Sequence, residues 1–380
     1  MIKWLFKYGA VIFLFNTVLL SIKSTFDLGN QIFLAIMGIF TIFLVLNPNQ
    51  VKRVIFHKAF LFLLIINSLN LLYFILFHSV SDIEALKYLL ARGMQFSIIS
   101  ISIFFHFDYY KTQFLNHIVS LVLFIVILSL LFDPNIFSGR YSGIIWNSNM
   151  LASFIVIAFS ILLLNNNNNK SLRDKILLFL FLVIALATGS RGALVGIAIS
   201  FGLKYGFSSR NIVYSIIAIL SYFLVTNLNL DTSLNRFAEQ SMFNDRIEQA
   251  LFAIKNINNN LFSGYGLNEY SGLPKDIILP NRFKGQIMAS HNGYLAIFLQ
   301  YGVLFGGLIL GLIFVKAFQL IAFFRDSNNT EKVFIFIIIY TFISSIYEAL
   351  MTGINEFHTI LFWFSLAFLS YSKYTKQYED

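Results

Sequence analysis

Uninterrupted apolar runs recur along the whole chain, and they leave few folds open to it. Leu, Ile, Phe and Val gather into stretches of roughly 17 to 25 residues, the length a helix needs to cross about 30 Å of hydrocarbon at 1.5 Å per residue. Transmembrane barrels write a different pattern, a weak alternation of period two. The composition agrees: 58% of the 380 residues are hydrophobic and 12% charged, against about 45 to 50% and 25% in a soluble domain. The expected fold class is therefore all-α, a polytopic helical membrane protein with about 12 transmembrane helices.

The runs fall near residues 8–22, 31–47, 59–78, 84–105, 114–132, 143–164, 176–188, 192–207, 211–226, 292–315, 333–351 and 355–371. They form one integral membrane domain over residues 1–380. The seventh and eighth are short and are separated only by Thr188-Gly189-Ser190-Arg191-Gly192, which reads as a tight hairpin or a re-entrant pair. Lys3 and Lys7 precede the first run without a small-residue cleavage site, so a membrane anchor is expected there rather than a removed signal.

Lysines and arginines set the orientation, because short cytoplasmic loops carry the excess of them. With the N-terminus inside, Lys52, Arg53, Lys58, Lys111, Lys170, Arg173, Lys175, Lys204, Arg210, Lys316, Arg325, Lys332, Lys373 and Lys376 also fall inside. Only Lys23, Lys87, Arg92, Arg140 and Arg191 remain in the short loops opposite. The expected placement is multi-pass in the inner, cytoplasmic membrane, with both termini cytoplasmic. The formal charge is +9, yet the cations stand singly across loops, so nucleic acid is not an expected partner. The chain has no cysteine, which excludes disulfides and thiolate metal sites.

One long polar segment, residues 227–291, interrupts the pattern between the ninth and tenth runs and is expected on the extracytoplasmic face. Within it, near 245–258, Ile247, Ala250, Leu251, Ile254 and Ile257 recur at helical spacing, and Asp245 stands three residues before Glu248. An amphipathic helix is expected, lying on the membrane surface or packed on the bundle. The Asn165 to Asn169 run is a low-complexity cytoplasmic linker.

Candidates for chemistry lie on the outer face. Arg92, Arg140 and Arg191 stand close to or inside expected spans, where an unpaired cation costs a few kcal/mol, so each either lines a wet cavity or snorkels to the interface. Arg191 follows Thr188-Gly189-Ser190 and opens a helix, so its guanidinium and free backbone amides together suit an anion such as a diphosphate. Arg246 on the amphipathic helix supplies a second fork. His291, in Ser290-His291-Asn292-Gly293-Tyr294, begins the tenth run, where an imidazole can take a proton from a hydroxyl or simply cap the helix. Glu348 and Glu356, with His358 nearby, bracket the last outer turn. They bind an acceptor sugar, support His291, or are ordinary interface carboxylates. Tyr265, Tyr270, Tyr294 and Tyr301 offer stacking faces, although 17% of the chain is aromatic.

Four segments in order carry a family resemblance: Gly143-Ile144-Ile145-Trp146-Asn147-Ser148-Asn149-Met150-Leu151-Ala152; Ser190-Arg191-Gly192-Ala193-Leu194-Val195-Gly196; Asp245-Arg246-Ile247 leading to Leu261-Phe262-Ser263-Gly264-Tyr265-Gly266; and His291-Asn292-Gly293-Tyr294-Leu295 with Gly302 beyond. Together, over residues 140 to 310, they resemble the O-antigen ligase and polymerase superfamily, with Asn-Ser-Asn where the family usually has Asn-Pro-Asn. The resemblance implies a metal-independent glycosyltransferase without a cofactor. Its expected partners are an undecaprenyl-diphosphate-linked glycan donor, a lipid-linked glycan acceptor, membrane lipids and, as a further candidate, a chain-length regulator. It assigns Arg191 and Arg246 to the donor diphosphate and His291 to the acceptor hydroxyl, on the periplasmic face. Arg140, Glu348 and Glu356 complete the expected substrate-binding set. The reading favoured is a surface-polysaccharide polymerase with single, inverting displacement. The alternatives are a ligase that transfers to lipid A core and, from another class, a lipid-linked oligosaccharide flippase. No internal repeat of the transporter kind is visible.

Overall fold

The computed structural model describes residues 2–136, 139–165, 171–206, 244–267, 290–327 and 330–378. Its elements are helices: α1 Ile2–Ser21, a short 3-10 turn Lys23–Thr25, α2 Phe26–Leu46, α3 Pro48–Ile55, α4 Leu61–Phe77, α5 Ile83–Thr112, α6 Phe114–Phe132, α7 Ser148–Leu164, α8 Leu172–Ala187, α9 Arg191–Tyr205, α10 Asn244–Asn259, α11 Gly293–Phe323, α12 Thr330–Ser344 and α13 Phe357–Tyr378. Among the described residues the only extended pairing is a single bridge between Ile22 and Ile145.

Four stretches are long and apolar enough to cross a membrane: Lys23–Leu46, Ile83–Thr112, Phe114–Phe132 and Gly293–Phe323. Phe6–Ser21, Leu61–Phe77 and Ser148–Leu164 are apolar but shorter, about 24 to 26 Å at 1.5 Å per residue. The expected run at 211–226 lies outside the described residues, as does most of the polar segment, so neither the number of spans nor the position of that segment follows from these helices. Several boundaries differ from those read in the sequence, and two of them shape the site. α7 begins at Ser148 rather than near 143, because the Asn147 side chain accepts from the Asn149 amide (2.9 Å) and caps it there. α12 ends at Ser344 rather than near 351. Beyond it Ser345 N donates to Thr341 O and Glu348 N to Ser344 O in a last irregular turn, and the chain continues as a connection to α13.

α13 is the pillar of the bundle. Every residue from Phe357 to Ser372 is buried, as a helix that is apolar all round requires. α5, α7, α11 and α12 pack about it. Outward faces are apolar as well: Leu34, Ile42, Val45 and Leu46 on α2 and Leu71, Ile75 and Leu76 on α4 are exposed. In water such a surface would be a liability. Against lipid tails it is the natural outer wall.

α11 breaks its helix at Gly302 (φ 71°, ψ 178°), and the break locks in the segment after α10. The carbonyls freed at Leu299 and Gln300 accept from Tyr265 N (2.7 Å) and Gly266 N (3.0 Å), while Val303 N donates to Leu261 O (2.7 Å). The Tyr73 hydroxyl donates to Gln300 O (2.8 Å) and also reaches Ser263 O. A Cβ on Gly302 would stand 2.3 Å from Phe262 O, and one on Gly264 (φ 62°) 2.5 Å from Gly302 N. Both positions need a left-handed backbone and tolerate no side chain. Gly264→Ala and Gly302→Ala are therefore expected to destabilise the protein by about 2 to 4 kcal/mol. Gly307→Ala, with open space around it, is the control. Thermal unfolding in detergent checks this, and a wild-type midpoint for Gly302→Ala would refute the lock.

Candidate functional site

The site is assembled from four short connections at the ends of α7, α9, α11 and α12. Thr188 ends α8 by donating to Ala185 O (2.6 Å) and accepting from Ser190 N (3.2 Å), with Gly189 at φ 58°. That turn starts α9 at Arg191. Gly192 lies against Tyr347: a Cβ there would be 3.2 Å from the Tyr347 hydroxyl. The Arg140 loop is fastened to the same turn, because Tyr141 N donates to Ala187 O (3.1 Å).

α10 carries two apolar faces. Ala253 and Ile257, four apart, pack with Leu299 of α11, whereas Ile247, Leu251 and Ile254 point outward. The packed face fixes where Arg246 emerges. Arg246 donates from Nη1 to Tyr347 O and from Nη2 to Glu348 Oε1 (3.2 Å).

His291 is the one non-glycine residue among those described with positive φ, 44°. Such a backbone is uncommon and holds only where neighbours over-determine it. They do so here. Asn292 caps α11 by accepting from Tyr294 N and Leu295 N (3.0 Å each), its amide donates to Ile346 O (3.0 Å), and Gly293 N donates to Ser345 O (2.7 Å). The residue after this held corner cannot move without breaking the cap. His291 Nδ1 consequently sits 3.6 Å from Glu348 Oε2, an ion-pair distance when the ring is protonated.

Glu348 is the hub. Its Oε1 accepts from Arg246 and from Asn149 Nδ2 (3.0 Å), and Asn149 Oδ1 accepts from Arg140 Nη2 (2.6 Å). Burial pushes the Glu348 carboxyl up, but His291 and Arg246 outweigh it and hold the group below its ordinary value. The side chains of His291, Arg246 and Glu348 are 38%, 34% and 25% exposed, shielded yet reachable. Arg140, Arg246, His291 and Glu348 thus form one connected network. Arg191 stands one residue before Gly192, which lies against Tyr347. Two cations and a histidine around one carboxylate leave the cluster positive, suited to an anionic ligand.

Glu356 stands apart from that network. It accepts from Thr359 Oγ1 (3.0 Å), presses on Gly353 and lies in the field of Arg92. His358 is buried between Ser153 (2.8 Å) and Thr341 (2.8 Å), a joint among α7, α12 and α13. Arg92 does not snorkel: it is 3% exposed, inside α5. Sequence reasoning missed Asn149 and Tyr347. One signal existed for Asn149, since a single asparagine suffices to cap α7 and Asn147 already does so. Tyr347, one of 18 tyrosines, offered none. Among the described residues no three His, Asp or Glu side chains gather as metal ligands would.

Residues 176–311 match the family model described as O-antigen ligase. Over that region the chain is similar to the O-antigen ligase/polymerase superfamily. No curated protein matches the chain. The superfamily region runs from α8 through α9 and α10 into α11, so it contains Arg191, Arg246 and His291. Asn149, Arg140 and Glu348, which hold those groups together, come from outside it. With the superfamily goes a polysaccharide-related, glycosyltransferase-like activity, and the apolar helices agree with a membrane protein.

Proposed function

We propose that the protein is a surface-polysaccharide polymerase that transfers a glycan from undecaprenyl diphosphate to a hydroxyl of a second, lipid-linked repeat unit. The observation that carries this reading is the pairing of Arg246 and His291 on the two oxygens of one carboxylate, Glu348. Glu348 turns the His291 Nδ1 edge toward itself and leaves Nε2 for the acceptor. His291 Nε2 takes the hydroxyl proton as the acceptor oxygen bonds to the anomeric carbon. The anomeric carbon–oxygen bond breaks, and undecaprenyl diphosphate leaves with the electron pair. Arg246 and Arg191, with the amides that open α9, neutralise the charge that grows on the leaving diphosphate. A direct displacement of this kind inverts the anomeric centre. Arg140 sits at the far end of the Asn149 bridge, placed for the donor or its first sugar. The chemistry belongs on the extracytoplasmic face, where the long polar segment is expected.

Replacing Arg246 by Lys keeps the charge but not the fork that spans Tyr347 O and Glu348. Donor binding is expected to weaken about 10- to 100-fold, the worth of roughly 1.5 to 3 kcal/mol for charge-assisted hydrogen bonds. Unchanged donor kinetics in Arg246→Lys would remove the diphosphate role.

A ligase is the second reading, and the description of the matched family as O-antigen ligase favours it. The two differ in acceptor alone. Purified protein given lipid-linked repeat units, with no lipid A core present, is expected to make longer chains. If product forms only when lipid A core is added, the polymerase reading is wrong and the ligase reading stands.

A further inference from the structure

Glu348 sits in the connection between α12 and α13, and that connection is gripped from behind by a buried face of α5. Beyond Glu348, whose own carbonyl accepts from Leu350 N (3.1 Å), the carbonyls of Leu350, Thr352 and Ile354 are each taken by a side chain. Thr359 Oγ1 donates to Leu350 O (2.7 Å) from α13. Arg92 Nη2 and the Tyr88 hydroxyl (3.3 Å) donate to Thr352 O, and Gln95 Nε2 donates to Ile354 O (3.3 Å). Arg92 and Gln95 also bind each other, Nη1 to Oε1 at 2.7 Å, and Arg92 Nη2 reaches the Tyr88 hydroxyl at 3.0 Å. The three side chains lie at positions 88, 92 and 95, one stripe of α5. All three are buried, and the Arg92 guanidinium lies over the rings of Tyr88, Phe96 and Trp363 at 5.4, 5.7 and 5.8 Å.

A cation buried in an apolar bundle is costly and is kept where it does something. This one donates to a backbone carbonyl four residues after Glu348 and to Gln95 and Tyr88 of its own helix. A carbonyl can be held by a neutral donor at less cost. What Arg92 adds is a planar fork that fixes Thr352 and Gln95 together, and through Gln95 the Ile354 carbonyl, so two points of the connection are set at once.

We infer that Arg92, Gln95 and Tyr88 are positioning residues that hold the connection in register so that Glu348 meets Arg246 and His291. The inference rests on the proposed function of that site and extends it to a part of the chain outside the superfamily region. The three residues touch neither donor nor acceptor. Their effect passes entirely through Glu348, and a misplacement of about 1 Å at a reacting group can cost as much as 100-fold in rate.

The test is a double-mutant cycle in purified protein, with undecaprenyl-diphosphate-linked glycan extracted from the producing cells as donor. Gln95→Ala and Arg92→Lys are each expected to lower kcat about 10-fold with donor KM within about twofold, because Arg191 and the α9 amides stay in place. In the Glu348→Gln background, Gln95→Ala is expected to add no further loss, since the group it positions is already gone. A merely structural role would instead add to the Glu348→Gln loss, and that result overturns the inference. If Gln95→Ala and Arg92→Lys do not fold, Tyr88→Phe, which deletes one hydroxyl, carries the test with an expected severalfold fall in kcat, and a full rate overturns it. A slow Glu348→Gln enzyme beside full-rate α5 variants removes the positioning role and leaves the site intact. Full-rate transfer by Glu348→Gln itself removes both.

Discussion

His291→Ala is expected to lower glycan transfer by about 100- to 10,000-fold, the span for loss of a positioned general base, with donor binding and fold retained. The fold survives because the ring is 38% exposed and the corner it occupies is held by its neighbours. Asn292 still caps α11, and Gly293 N still donates to Ser345 O. Alanine at φ 44° is strained by about 1 kcal/mol relative to histidine, so a small fall in the unfolding midpoint accompanies the loss. Donor binding survives because Arg246 keeps both of its acceptors, Tyr347 O and Glu348 Oε1. The checks are initial rate and equilibrium donor binding on the same preparation. Transfer at the wild-type rate would strip His291 of its role.

The second large effect is the Arg246→Lys loss of donor use, which is the mirror of the first. The lysine variant retains a point charge near Glu348 but cannot reach Tyr347 O and Glu348 together, because an ammonium has no fork. Expected is a rise in donor KM or Kd with the rate at saturating donor reduced less, since His291 and Glu348 still face each other. The two variants weigh binding and chemistry differently: His291→Ala spares donor binding, whereas Arg246→Lys lowers donor binding more than it lowers the rate at saturating donor. A pattern with the roles exchanged would contradict the assignment of both residues.

The sequence was most legible where local physics decides the outcome. The spacing of Ile247, Ala250, Leu251, Ile254 and Ile257 marks a helix whether the face meets lipid or protein, and α10 spans Asn244–Asn259. Arg191 opens α9 after a Thr-Gly-Ser turn, where only glycine enters the left-handed region easily. The connection from Ser345 to Glu356 was not legible. Ile346, Leu350 and Met351 continue an apolar run, so hydropathy carries the eleventh run, which holds α12, through Glu348. The contacts that end it come from Asn149, Arg246 and Asn292, far away in the chain. The break at Gly302 shows the same limit. Four glycines lie at 302, 306, 307 and 311 in one apolar stretch, and only the docking of Leu261 to Gly266 singles out the first. Glu356 and Glu348 looked equivalent in the sequence. Packing separates them, one onto Thr359 beside the Arg92 cluster and one onto His291.

On the proposed reading this membrane protein makes a glycosidic bond and does not simply pass a lipid-linked glycan across the bilayer. Its most direct test is release of undecaprenyl diphosphate from purified protein in vesicles supplied with the lipid-linked repeat unit. One diphosphate lipid released for each new linkage, lost in His291→Ala, is the predicted result. Movement of the intact lipid-linked glycan across the vesicle wall, with no undecaprenyl diphosphate released and no longer chain formed, would contradict it.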